Sequence, residues 1–168
     1  MNDGLIDAFR HNAWATSQVL QICGELTPSR LATTVPGTYG NIIDTLRHLI
    51  SSEANYWARL SGEQPSWDRR AEDAPGLTEL AARNDELATR WQRFLARPFD
   101  AERTFAIAWH DGGIRDVPAG VVLMQAIHHG NDHRTQICTT LTILDVPAPE
   151  LGLWDYAEAT DRARRRVI

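Results

Sequence analysis

Four long stretches of the chain repeat their apolar residues every three or four positions, and this periodicity constrains the fold more than any other feature. The stretches cover residues 5–26, 41–61, 78–97 and 118–144. Such spacing places apolar side chains along one face of an α-helix. Helices of roughly 20 to 27 residues are about 30 to 40 Å long, and four of them predict a four-helix bundle.

The segments between these helices contain the prolines and glycines that interrupt them, and the second helix starts at a cap, either Thr38 or Asn41. The connections before and after the third helix have about 15 and about 20 residues, which is long enough for a crossover. Strand-like runs at 104–109 and 114–117 flank two glycines and predict a small β-hairpin. Residues 154–166 are expected to form a short terminal helix. We therefore predict an all-α fold: one four-helix bundle domain over residues 1–168, with crossover connections and a hairpin before the last bundle helix.

The basic side chains exclude two classes of chemistry. All 17 of them are arginine, and the sequence contains no lysine. Schiff-base catalysis needs a lysine amine, and a phosphate-binding loop of the GxxxxGK[ST] type needs its lysine. Carboxylate, imidazole, thiol, hydroxyl and guanidinium groups remain available for a site.

Charge and cysteine content predict the cellular setting. The net charge of −5 argues against nucleic acid as the main partner, and we interpret the arginines at positions 162, 164, 165 and 166 as a solvated tail. Cys23 and Cys138 make no disulfide framework, which is typical of a reduced cytoplasmic protein. No stretch approaches the roughly 18 apolar residues of a membrane span, so we predict no membrane association. Acidic Asp3 and Asp7 stand where a signal peptide is basic.

Three of the six histidines have the spacing of metal ligands. His129 and His133 stand at positions i and i+4 of the fourth helix, so both imidazoles lie on one face, one turn apart. His48, at mid-helix in the second stretch, is the natural third ligand. The alternative pair on the fourth helix, His128 with Asp132, points about 100° away from His129 and ranks lower.

The same residues carry a resemblance to a known family. His48 lies in the run Asp44 to Trp57 (DTLRHLISSEANYW), His129 and His133 lie in HGNDHRTQI, and prolines follow in LDVPAP. In this combination the chain closely resembles the DinB/YfiT-like putative metalloenzymes over nearly its whole length. The resemblance implies an up-down-down-up four-helix bundle, often dimeric, in which His48, His129 and His133 bind a divalent ion. The superfamily includes bacillithiol and mycothiol S-transferases and a thiol-dependent maleylpyruvate isomerase.

The chemistry of three imidazoles favours an enzyme. Three neutral ligands leave the ion its full charge and an open position, the arrangement of catalytic rather than structural zinc sites. Such an ion lowers the pKa of bound water and deprotonates a thiol. We therefore expect activation of a low-molecular-weight thiol cosubstrate, or of water, for transfer to a small electrophilic substrate. Zinc or nickel suits the imidazoles best, and iron and manganese stay open.

Several other residues are candidates for the surroundings of the site. Asp132, Gln136 and Asn131 could orient the imidazoles, whereas Arg134 could either hold an anionic substrate or brace the bundle. Trp57 or Trp109 could form a wall of the site, although aromatic residues at helical spacing usually belong to the core.

The alternative function is a non-catalytic, stress-associated bundle with a structural or vestigial metal. In that case the protein acts mainly as a homodimer through helix faces, and the apolar residues beyond one stripe of the fourth helix favour a covered face: Val121, Val122, Leu123, Met124 and Ile127.

Overall fold

The computed structural model describes residues 3–67, 74–164 and 166, which form six helices and one two-stranded sheet. In chain order the elements are α1 (Asp3–Cys23), α2 (Pro28–Leu31), α3 (Ile42–Ser61), α4 (Leu77–Leu95), β1 (Thr104–Ala108), β2 (Ile114–Pro118), α5 (Ala119–Ile143) and α6 (Leu153–Ala159). The four predicted long helices are therefore confirmed as α1, α3, α4 and α5. The short α2 was not predicted, and α6 ends at Ala159, earlier than expected from the sequence; Arg165 of the arginine tail lies outside the described residues.

Local chemistry explains where α3 begins and ends. Asn41, rather than Thr38, is its cap, and the Asn41 side chain accepts a hydrogen bond from the backbone N–H of Asp44 at 2.8 Å. At the other end Gly62 adopts a left-handed conformation with φ of 76°, which glycine reaches without steric cost. α5 follows β2 directly, and Pro118 is both the last residue of that strand and the cap of the helix.

Helix α1 runs antiparallel to α4. The ring of Phe9 packs on Trp91 with centroids 4.3 Å apart, whereas Ala13, one turn later in α1, accepts a hydrogen bond from the side chain of Asn84, earlier in α4. Residue numbers thus rise along α1 while they fall along α4.

Helix α3 runs parallel to α4. Near the start of α3, Arg47 donates to the backbone carbonyl of Pro75, just before α4, and near the end of α3 the ring of Trp57 lies under Arg90 of α4. Two parallel neighbours require a connection that runs the length of the bundle, which explains the predicted crossover between them.

Helix α3 runs antiparallel to α5, which completes the arrangement. His48 of α3 meets His129 of α5, and the end of α3 at Leu60 shares a cavity with Ala119 at the start of α5. α4 and α5 each pack against both α1 and α3. The directions are therefore up, down, down and up, and the predicted fold class is confirmed.

The helices enclose one apolar core, and the hairpin packs Phe105, Ile107 and Val117 against it. Most of the largest fully buried side chains are apolar: Trp57, Trp91, Ile42, Leu46, Leu49, Ile50, Leu80, Leu87, Leu95, Ile137 and Leu141. β1 pairs with β2 in antiparallel register, with Gly112 at φ of 79° in the turn, as the sequence predicted. Within the described residues, no helix combines the length and the apolar composition needed to cross a membrane.

Candidate metal centre

Helices α3 and α5 bring His48, His129 and His133 together. The Nε2 atom of His129 lies 3.0 Å from that of His48 and 3.2 Å from that of His133. One nitrogen from each ring lies within 4.8 Å of the other two. The i and i+4 spacing on α5 accounts for the pair, and the antiparallel packing of α3 delivers the third ring. Three convergent imidazole nitrogens could hold one metal ion.

Gln136 fixes the proton position on His133. The Gln136 Oε1 atom accepts a hydrogen bond from the backbone N–H of Tyr39 at 3.0 Å and lies 3.1 Å from Nδ1 of His133. A backbone N–H can only donate, so the amide atom facing it is oxygen, and Nδ1 of His133 must carry the ring proton. The lone pair of that imidazole is consequently on Nε2, the atom that faces the other two histidines. This is the tautomer that a metal ligand needs.

Two tyrosine rings flank the histidines. Tyr39 stacks on His48 at 4.0 Å between centroids with planes 18° apart, and it meets His133 edge-on at 5.2 Å. Tyr56 meets His129 edge-on at 5.7 Å. Sequence reasoning missed both residues. Tyr39 belongs to a loop without periodicity, and Tyr56 directly precedes Trp57, the residue that drew attention in the motif.

Burial favours the neutral forms of His48 and His129. It lowers the pKa of His129 to about 4, with the charges that His133 and His48 carry when protonated acting in the same direction. The pKa of His48 is also lowered, first by burial and then by repulsion from His133. Neutral rings have free lone pairs, and positive charge is therefore disfavoured at this position unless a metal ion brings it.

Comparison with known proteins places the chain in a family. The model of the DinB family matches residues 1–165. The chain belongs to the DinB family. A crystal structure of a DinB-like protein from Bacillus cereus superposes with a TM-score of 0.67 at 15% identity, covering 89% of this chain and 96% of that one. This similarity supports the DinB-like fold alone. No curated protein sequence matches the chain at a significant level.

Of the other predicted site residues of this DinB-family chain, some contact the histidines and others lie away from them. Gln136 contacts the histidines, as described above. Asp132 lies on the surface of α5, where its carboxylate is 3.4 Å from His128, and no hydrogen bond joins it to the three histidines in the described part of the chain. Trp57 is buried and lines a cavity whose walls contain none of the three histidines. Trp109 lies on the hairpin beside Arg115.

Arg134 belongs to a buried network next to the site. It is 2% exposed and donates to the carbonyl of Asn12 at 3.2 Å, to the hydroxyl of Thr16 at 3.0 Å and to the side chain of Asn131 at 2.6 Å. These partners all belong to the bundle. Of the two roles that the sequence left open for Arg134, these partners favour bracing of the bundle over binding of an anionic substrate. The side-chain oxygen of Asn131 is used in the same network.

The partner of Arg134 in this network is an acid that the sequence did not reveal. Glu53 of α3 is 3% exposed and accepts hydrogen bonds from Asn12 and Trp91, each at 3.0 Å. Burial raises the pKa of Glu53, an effect that Arg134 partly offsets, and burial lowers the pKa of Arg134 to about 10. Asn12 links the two side chains, because its side-chain amide donates to Glu53 and its backbone carbonyl accepts from Arg134.

Proposed function

We propose that the protein is a metal-dependent enzyme that binds one divalent ion through Nε2 of His48, His129 and His133. The observation that carries the proposal is the convergence of three ring nitrogens, one from each histidine, within 4.8 Å of one another. Imidazole donors suit zinc or nickel. A bound ion supplies a positive charge that lowers the pKa of a thiol or a water molecule beside it.

The chain's own residues would prepare this site in three ways. Gln136 holds the proton of His133 on Nδ1, which directs the lone pair of Nε2 toward the site. The stacked ring of Tyr39 fixes the plane of His48. His48 and His129 are themselves partly exposed, so this side of the site is open to solvent. The reaction that fits this arrangement is attack of a low-molecular-weight thiol, or of water, on a small electrophile.

The experiment is a turnover assay with a matched pair of variants. Zinc- and nickel-loaded protein is mixed with glutathione, bacillithiol or mycothiol and 1-chloro-2,4-dinitrobenzene, and separately with p-nitrophenyl acetate in water. We expect turnover with at least one nucleophile, lost in His129→Ala and retained in His128→Ala. Rates that are equal in wild type and His129→Ala would refute the enzymatic proposal while leaving metal binding to be judged by metal analysis.

A second candidate function is a non-catalytic homodimer with a structural metal. Val121 and Met124, one turn apart on α5, are 54% and 62% exposed, and apolar surface of this kind fits a second copy of the chain. Sedimentation of wild type and Met124→Asp measures the dimer. Unfolding on metal removal, together with no turnover, would favour this candidate over the enzyme.

A further inference from the structure

A second concave site lies away from the histidines, at the end of the bundle where α3 and α4 terminate and α5 begins. It is a cavity of about 520 Å³. Small-molecule sites in proteins commonly measure about 300 to 1,000 Å³, so the volume suits a small organic ligand. Trp57, which lines the cavity, is nine positions from His48 on α3, a separation of about 13 Å along the helix axis. The cavity is therefore a different site from the candidate metal centre.

The walls of the cavity carry an excess of positive charge. Four arginines, at positions 90, 93, 97 and 103, face two acids, Glu63 and Asp100. Arg90 is already committed to Glu86 at 2.5 Å and to Glu63 at 3.7 Å. The other three form no ion pair with any residue that the structure describes. An unpaired guanidinium presents planar N–H groups that match a carboxylate.

Aromatic residues complete the lining. Phe94, Phe99 and Phe105 contribute rings to the wall beside Trp57. Flat apolar walls of this kind pack against the faces of an aromatic ligand ring.

We propose that this cavity binds a small aromatic carboxylate. The aromatic rings contact the flat apolar body of the ligand, and the guanidinium groups of Arg93, Arg97 and Arg103 attract its carboxylate. The pairing of flat apolar surface with excess positive charge distinguishes this ligand class from neutral aromatic compounds, which leave the cations unused, and from amines, which the cations repel.

Calorimetric titration with three probes that share one ring system tests the proposal. The probes are 1-naphthoate, 1-naphthalenemethanol and 1-naphthylmethylamine. We expect 1-naphthoate to bind at least tenfold more tightly than the neutral alcohol, and the amine to show no binding. Equal affinities for the acid and the alcohol, or tighter binding of the amine, would overturn the proposal.

Variants locate the binding. The double variant Arg93→Gln/Arg97→Gln changes exposed side chains and is expected to fold, to weaken 1-naphthoate at least tenfold, and to leave the alcohol unchanged. Trp57→Phe shortens one aromatic wall but leaves the arginines in place, so it weakens the acid and the alcohol by similar factors. Arg10→Gln, which removes one exposed arginine of α1, and His129→Ala both retain wild-type affinity. Loss of 1-naphthoate binding in His129→Ala with full binding in the double variant would place the anion at the histidines and refute this site.

Discussion

Two polar clusters join α3 to α5, and they differ in how their polar groups are arranged. In the closed cluster, Glu53 receives two hydrogen bonds and Arg134 donates three, all within the bundle. In the open cluster, the Nε2 atom of His129 contacts those of His48 and His133, and no other hydrogen bond of these three atoms is found among the described residues. Hydrogen bonds between charged and amide groups of several helices hold a fold together, whereas three imidazole nitrogens that converge on one point form a potential ligand set for a metal ion. The same pair of helices thus carries a structural cluster and a candidate functional one within a few residues.

The largest expected effect comes from breaking the closed cluster. Glu53→Ala leaves the guanidinium of Arg134 buried without its opposing charge, and we expect the free energy of unfolding to fall by about 3 to 5 kcal/mol. Urea denaturation measures the loss. The matched control is Asp85→Ala, which removes an exposed acid of α4 and is expected to stay within about 0.5 kcal/mol of wild type. A loss below about 1 kcal/mol in Glu53→Ala would show that the cluster contributes little to stability.

A second test adds atoms to the closed cluster. A Cβ at Gly130 would lie 2.6 Å from Oδ1 of Asn12 and 2.9 Å from Nη1 of Arg134, both of which are buried. Gly130→Ala should therefore destabilise the protein by about 1 to 3 kcal/mol through overpacking. Gly120→Ala on the same helix meets nothing closer than 3.5 Å, so it should be neutral or gain up to about 1 kcal/mol from helix propensity. Equal melting temperatures of the two variants would contradict the tight packing around Gly130.

The third test changes the open cluster without removing a ligand. Gln136→Ala removes the oxygen that accepts hydrogen bonds from Nδ1 of His133 and from the backbone N–H of Tyr39. We expect metal affinity to fall about 10- to 100-fold. Competition with a chromophoric chelator measures the affinity. Thr135→Ala, at the exposed neighbouring position, should retain the wild-type value. Unchanged affinity in Gln136→Ala would mean that its amide does not orient the ligand.

The last test is the pH dependence of the stability of the metal-free protein. The pKa of His129 is lowered to about 4 in the folded protein, whereas the pKa of a histidine in an unfolded chain is about 6.5. The unfolded state therefore binds more protons between these values, and the stability of the fold decreases as the pH falls from about 6.5 toward 4. Urea titrations of the chelator-treated protein across this range measure the slope. His129→Gln should flatten it, and an identical slope in that variant would assign the dependence to other groups.

The bundle was predictable because its information is local. Periodic apolar residues define the four long helices, Asn41 and Gly62 mark the bounds of α3, and the spacing of His129 and His133 fixes their common face. α2 escaped prediction because four residues carry no periodicity.

The surroundings of the site were less predictable because they depend on tertiary packing. Tyr39 reaches His48 only through the path of a loop, and nothing in its neighbours encodes that path. Glu53 looks like any acid on a helix; it is buried because Asn12, Trp91 and Arg134 meet it from three other helices. The sequence raised the histidines as ligands but could not distinguish the closed cluster from the open one.

The most direct test of the three-histidine metal site is the metal content of two variants, each of which replaces one of two adjacent histidines. Wild type, His129→Ala and His128→Ala are equilibrated with zinc, desalted and analysed by mass spectrometry for metal per chain. Because His129 Nε2 is the closest neighbour of both other Nε2 atoms and His128 pairs with Asp132 on the surface, the account predicts one equivalent in wild type and His128→Ala and none in His129→Ala. A full equivalent of zinc in His129→Ala would contradict it.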